Sequence, residues 1–176
     1  DDAAARLRAL RDHGSSAVAA HVGFGVNLWP GQLEAAVLSV KLPRLRAWNE
    51  ARRGMARRYD RALAGCAAVR PVANVTGDGH VYHQYVVRCS ARDRLRRLLA
   101  AAGIETAVYY PRTLLELPGL AGRLRRCGAC PNATVAAREV LSLPVHPWLT
   151  ARERRRCIEA VRRAALAIER SISRIR

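Results

Sequence analysis

The sequence predicts an α+β fold: a small antiparallel sheet with helices packed on one face, plus a long kinked N-terminal helix. Three observations predict it. Apolar residues recur at spacings of three and four over residues 33–63, 95–102 and 158–172, the period of a helix with one buried face. Between these stretches, residues 81–89 and 104–110 are short runs of β-branched and aromatic residues, which read as strands. The segments run helix, long helix, strand, helix, strand, helix, helix, without internal repeats.

The first helix carries Leu7 and Leu10 among arginines and stops at His13-Gly14, where glycine suits the left-handed C-cap. A loop over 15–26 follows. Pro30-Gly31 opens the long helix, proline being tolerated in the first turn because its missing N–H would be unpaired there. Pro43 removes one helical hydrogen bond and is expected to kink or split that helix. The pattern resumes through Trp48, Met55, Tyr59 and Leu63, and Gly65 marks the stop. Ser90-Ala91-Arg92-Asp93 is a capping signal for the helix lined by Leu95, Leu98, Leu99 and Ala102. Pro131 opens a short helix ending near Leu141, and Thr150-Ala151-Arg152-Glu153 forms a capping box for the last one.

Composition narrows the function classes. No apolar run approaches the roughly 18–20 residues of a membrane-spanning helix, and the acidic opening does not resemble a signal peptide. It reads as an interior cut point, and a cytoplasmic location is expected. The formal charge of +17 invites a nucleic-acid reading, since arginine neutralises phosphates. The arginines are scattered over nearly every helix, however, with no aromatic interleaving and no recognition signature, so no specific nucleic-acid partner is expected. Five cysteines include a Cys127-Gly-Ala-Cys130 pair, but no second ligand pair matches it, so no metal site is expected. His80 and His83, three apart on the expected strand, would point to opposite faces. Read by themselves, the residues define an α+β domain and no chemistry.

Five blocks add more. Gly25-Val26-Asn27 followed by Leu33-Glu34-Ala35-Ala36-Val37, Val40-Lys41-Leu42, Trp48-Asn49 and Arg53 resembles the central block of the DegT/DnrJ/StrS sugar aminotransferases. Arg11-Asp12-His13-Gly14, the run from His80 to Val87, Gly103-Ile104 leading to Tyr109-Tyr110-Pro111, and Leu141-Ser142-Leu143-Pro144-Val145-His146-Pro147 agree in order and spacing. The resemblance covers essentially the whole chain.

That resemblance implies a dimeric, fold-type-I enzyme that uses pyridoxal 5'-phosphate. Such enzymes move an amino group, usually from glutamate, to a keto carbon of a nucleotide-linked sugar. A lysine holds the cofactor as a Schiff base and shuttles the proton. In the family it lies N-terminal to the segment seen here, so residues 1–65 correspond to a remnant of the large-domain and dimer region with the connecting helix. Residues 66–176 correspond to the C-terminal small domain. Lys41, the single lysine, sits within a helical pattern at a position of structural use in the family. No catalytic residue is therefore expected in this chain, and no covalent cofactor linkage.

Asn27 matches the asparagine that reaches the cofactor phosphate of the other subunit; the competing reading is a loop asparagine capping the next helix. Tyr109 and Tyr110 match a strand end that faces the sugar nucleotide, or else pack on the core. Three positions depart from the family. Trp29 stands where a second phosphate contact, Arg or Lys, is usual, leaving one N–H donor in place of a charged fork. Glu34 replaces a common Gln, and Thr134 a common acidic residue. Two alternatives stand beside this reading: a truncated, non-catalytic relic or partner-binding protein, and a basic nucleic-acid-binding module.

Overall fold

The computed structural model describes residues 2–17, 20–21, 23–120, 123 and 128–173. The chain divides into two compact units, Asp1–Leu45 and Arg46–Arg176.

In the first unit, helix α1 (Asp2–Arg11) leads into a short antiparallel pair, β1 (Ser15–Ala17) and β2 (Ala20–His21), in the segment expected to be loop. Helix α2 (Gln32–Lys41) follows, with Gly31 as its N-cap. Glu34 closes that end, its Oε2 accepting the Gly31 N–H at 3.0 Å. Neither α1 nor α2 buries a single side chain. Backbone bonds tie the end of α1 to the strand-like segment 26–28.

Pro43 interrupts the long helix as expected. A single 3-10 turn, Leu42–Arg44, separates α2 from α3 (Leu45–Leu63). The two compact units part at Leu45/Arg46. The reason is the buried face of α3: Met55, Ala56, Tyr59 and Leu63 enter the core of the second unit.

That core is organised by a three-stranded antiparallel sheet, β3 (Arg70–Pro71), β4 (Tyr85–Arg88) and β5 (Val140–Leu143), in the order β3-β4-β5. The register pairs Tyr85 with Leu143 and Val87 with Leu141. These four side chains are buried with Leu95 and Leu99 of α4 (Arg92–Ala101) and with Val161, Ala165 and Ile168 of α6 (Ala151–Ser173). Each large aliphatic side chain so buried contributes about 1.5–3 kcal/mol. The short helix α5 (Pro131–Glu139) starts at Pro131, as its position at the first helical turn requires. Thr150 and Glu153 form the expected capping box at α6, with Thr150 N–H and Oγ1 both 2.7 Å from Glu153 Oε2.

Four expectations are corrected. Residues 104–110 form no strand; Ala107 makes an isolated antiparallel bridge to Ser142, with N–H···O distances of 3.2 and 2.7 Å. The strand expected over 81–89 is confined to Tyr85–Arg88, because Tyr82 adopts φ 48° and the preceding segment turns around it. His80 and His83 therefore do not alternate on one strand. The His80 Nδ1 instead accepts the Tyr82 N–H at 2.9 Å. Ser90 does not cap α4, whose N-cap is Ala91 without a side-chain bond. Finally, the helix expected to end near Leu141 ends at Glu139, and the next four residues form β5, a strand not expected there. Among the described residues no group of three His, Cys, Asp or Glu is placed to hold a metal, and Cys127 of the CxxC pair lies outside them. No helix among them is long and apolar enough to cross a membrane.

Candidate functional site

Asn27 is positioned by two glycines. Gly14 has φ 79°, a region that side-chain-bearing residues rarely enter, and a Cβ there would lie 1.9 Å from the Gly23 carbonyl oxygen. At Gly25 a Cβ would lie 2.1 Å from the Gly14 nitrogen. The two bare backbones thus pass each other at a distance no side chain permits. This brings the end of α1 alongside residues 26–28. Val26 N–H donates to the Leu10 carbonyl at 2.9 Å and Leu28 N–H to the Arg11 carbonyl at 3.0 Å, and Asp12 and Asn27 form an antiparallel bridge.

The Asn27 side chain is exposed, and its Oδ1 accepts the Trp29 backbone N–H at 3.1 Å. An amide whose oxygen is engaged by a local N–H presents its Nδ2 donors at the free end. Asn27 does not cap α2, whose N-cap is four residues further on. Trp29 is half exposed and held from two sides. Its indole N–H donates to Asp12 Oδ1 at 3.3 Å, and the Arg11 guanidinium carbon lies 4.1 Å from the ring centroid. Arg11 and Asp12 were legible in the sequence only as part of a family block; nothing in their spacing signals a stack on Trp29, seventeen residues away from Asp12.

In the second unit, Tyr109 and Tyr110 do not join the core. They remain 49% and 74% exposed, with ring centroids 5.9 Å apart in an edge-to-face arrangement. Tyr109 borders two cavities. One, of about 720 Å³, is walled by His83, Gln84, Ser142, His146 and Arg156, side chains rich in hydrogen-bonding groups. The other, of about 1210 Å³, is apolar, with Tyr110, Leu114, Leu115, Leu117 and Val140 in its wall. The first lies where the Ala107–Ser142 bridge holds segment 103–109 against β5, and Arg156 Nη2 ties its rim by donating to the Ala102 carbonyl at 2.7 Å. Tyr109 offers this surface an aromatic face and an O–H together.

Burial pushes the Cys157 thiol and the Tyr59 phenol beneath this cavity above their ordinary values, so both stay protonated at neutral pH. Neither is poised as a nucleophile or base. Lys41 is exposed at the last position of α2.

The shape and the sequence both have counterparts. The fold is that of an α+β aminotransferase domain: DesV from S. venezuelae superposes with a TM-score of 0.82 at 38% identity, covering 92% of this chain and 44% of that one. A DegT DnrJ EryC1 StrS aminotransferase from Brucella abortus gives 0.78 at 30% identity, over 92% and 43%. The DegT/DnrJ/EryC1/StrS aminotransferase family model matches residues 1–162, and the chain belongs to that family. Among curated relatives, the dTDP-3-amino-3,4,6-trideoxy-alpha-D-glucose transaminase of Streptomyces venezuelae is 37% identical over 166 residues, 94% of this chain and 44% of its own length. The pleiotropic regulatory protein of Geobacillus stearothermophilus is 39% identical over 164 residues, 92% of this chain and 44% of its length. The chain thus spans less than half the length of the relatives it matches.

Proposed function

We propose that this chain is the C-terminal part of a pyridoxal-phosphate-dependent aminotransferase that acts on a nucleotide-linked keto sugar, and that the chain alone is inactive. Asn27 carries the reading. Its oxygen is held by Trp29 N–H, so its N–H₂ end is free for an anion. The relatives' substrates, a dTDP-linked sugar in Streptomyces venezuelae and a UDP-linked one in Acidithiobacillus ferrooxidans, support the nucleotide-sugar class.

The donors present suit the phosphate end of the cofactor: Asn27 Nδ2, and the Nε of Arg11, which is buried without a hydrogen-bond partner among the described residues. The other end finds no counterpart, because Lys41 is exposed on a helix. When bound, pyridoxal phosphate supplies an electron sink for moving an amino group. In this reading Asn27 grips the phosphate of a cofactor carried by the other subunit of a homodimer. Tyr109 and Tyr110 face the sugar nucleotide, and the cavity beside Tyr109 receives its polar part. Glutamate is the expected amino donor. The chain's own contribution is binding and orientation rather than proton transfer.

The test is a chimera in which these 176 residues replace the matching part of the Streptomyces venezuelae transaminase. Amination of a dTDP-keto sugar by glutamate is expected, with Asn27→Ala lowering kcat/KM by about tenfold, the loss of one hydrogen bond to a charged group. A folded, cofactor-loaded chimera without amination of any nucleotide sugar would sink the proposal.

A further inference from the structure

We infer that Arg11 is a phosphate-binding cation of this chain, oriented by its stack on Trp29 and acting beside Asn27 on the phosphate monoester of the cofactor. This rests on the reading of Asn27 given above and deepens it.

Arg11 closes α1, and its own backbone carbonyl accepts the Leu28 N–H, one residue beyond Asn27. The two side chains therefore spring from paired segments, Asp12 bridging Asn27 between them. The guanidinium carbon lies 4.1 Å from the centroid of the Trp29 ring. Stacking uses the face of a guanidinium. All five of its N–H donors lie in the plane and point outward from the edge, so contact through the face consumes no donor. The indole is itself fixed, because its N–H is bound to Asp12 Oδ1.

The Nε of Arg11 is buried and has no partner among the described residues. A buried charged donor left unpaired is costly, and folded proteins almost always give such a group an acceptor. The neighbouring carboxylate of Asp12 does not serve: among the described residues it forms no ion pair with Arg11. An acceptor from outside this set would satisfy Nε once a small turn of the side chain opens its edge to a ligand. Asn27 contributes a neutral N–H₂ from the adjacent segment. A cationic fork and an amide carried by two paired segments suit an anion with several terminal oxygens, such as a phosphate monoester. Trp29 is then the residue that replaces one cation by holding another. The indole removes a charge from position 29 and restores one through Arg11.

A nucleotide diphosphate offers the same chemistry, so the experiment separates the two sources. The probes are inorganic phosphate, pyridoxal 5'-phosphate, pyridoxal and dTDP. They are titrated into the 176-residue chain, with the Arg11 Nε–H and Asn27 Nδ2–H₂ resonances followed by ¹⁵N NMR. We expect saturable shifts of both resonances with phosphate and pyridoxal phosphate and none with pyridoxal. Arg11→Gln should weaken pyridoxal phosphate by about tenfold or more, the scale of one charge-assisted bond. Arg11→Lys, which keeps the charge but lacks the fork, should fall between, and Trp29→Ala should weaken binding although Arg11 is intact. Loss of binding in Asn27→Ala together with wild-type affinity in Arg11→Gln overturns this inference and leaves the Asn27 reading standing. Loss in Arg11→Gln with none in Asn27→Ala does the reverse. Arg11 shifts with dTDP but not with pyridoxal phosphate, or no saturable shift with either, also overturn it.

Discussion

The Tyr59 hydroxyl on α3 donates a 2.9 Å hydrogen bond to the Pro144 carbonyl just past β5, tying the long helix to the wall of the polar cavity. Tyr59 is fully buried and stacks on Tyr85 with centroids 4.8 Å apart, while Tyr85 donates to Asp60 Oδ1 at 2.7 Å. Tyr59→Phe keeps the stack but strips the Pro144 carbonyl of its donor. We expect a loss of about 1–2 kcal/mol in urea unfolding, the cost of a part-buried acceptor left without its donor, with little change in m. An unchanged midpoint would mean that water replaces the phenol.

Stability falls at alkaline pH. Burial, first of all, raises the Tyr59 and Tyr85 phenols above their ordinary 10.0 and the Cys89 and Cys157 thiols above 9.0. A group whose folded value is raised holds its proton while the unfolded chain releases it, so its stabilising effect is complete below the unfolded value and is lost above it. The decline therefore begins near pH 9 and steepens above 10. Each retained proton adds at most about 1.4 kcal/mol per pH unit. Unfolding midpoints measured from pH 7 to 11 should show this slope, and Tyr59→Phe should flatten it; a flat profile would contradict the burial of these groups.

Gly14→Ala and Gly25→Ala should each release the segment that carries Asn27. The added Cβ would sit 1.9 Å from the Gly23 carbonyl oxygen in one case and 2.1 Å from the Gly14 nitrogen in the other. Both contacts are with backbone, which cannot rotate away. A cost above about 1 kcal/mol is expected at Gly14, where φ is also positive. Hydrogen exchange should report faster exchange at Val26 and Leu28 with core amides such as Val87 unchanged. Equal acceleration in the core would show that the effect is global.

The first unit should make the chain self-associate. Leu33 is 85% exposed, and Val37, Leu38, Val40 and Leu42 are also open to solvent on or just after α2. Contiguous apolar surface of this kind is rare on monomers. Sedimentation velocity of the 176-residue chain should show concentration-dependent association, reduced by Leu33→Glu with Val40→Glu. A single monomeric species at all concentrations would contradict the exposure of this face.

Much of this was legible along the chain. Proline and glycine act locally, so the break at Pro43, the start of α5 at Pro131 and the stop of α1 before Gly14 followed from residues within a turn of each event. So did the Thr150–Glu153 box, and the helical period of α6 named its buried residues Val161, Ala165 and Ile168. The blocks that resemble the family are likewise a property of sequence order, and the family match over residues 1–162 bears them out.

What needed the tertiary structure was everything fixed by a distant partner. Residues 140–143 continue a helical spacing, yet they pair with β4 because that ladder satisfies their backbone groups while burying Leu141 and Leu143. Residues 104–110 have the composition of a strand, but only Ala107 finds a facing backbone. The exposure of Tyr109 and Tyr110 was equally hidden, since aromatic character at a strand end suits either side of a surface. The sequence determined that Trp29 is not a cation. Only the approach of α1 to residues 26–28, through two glycines that leave room for it, decided that a cation stands there all the same.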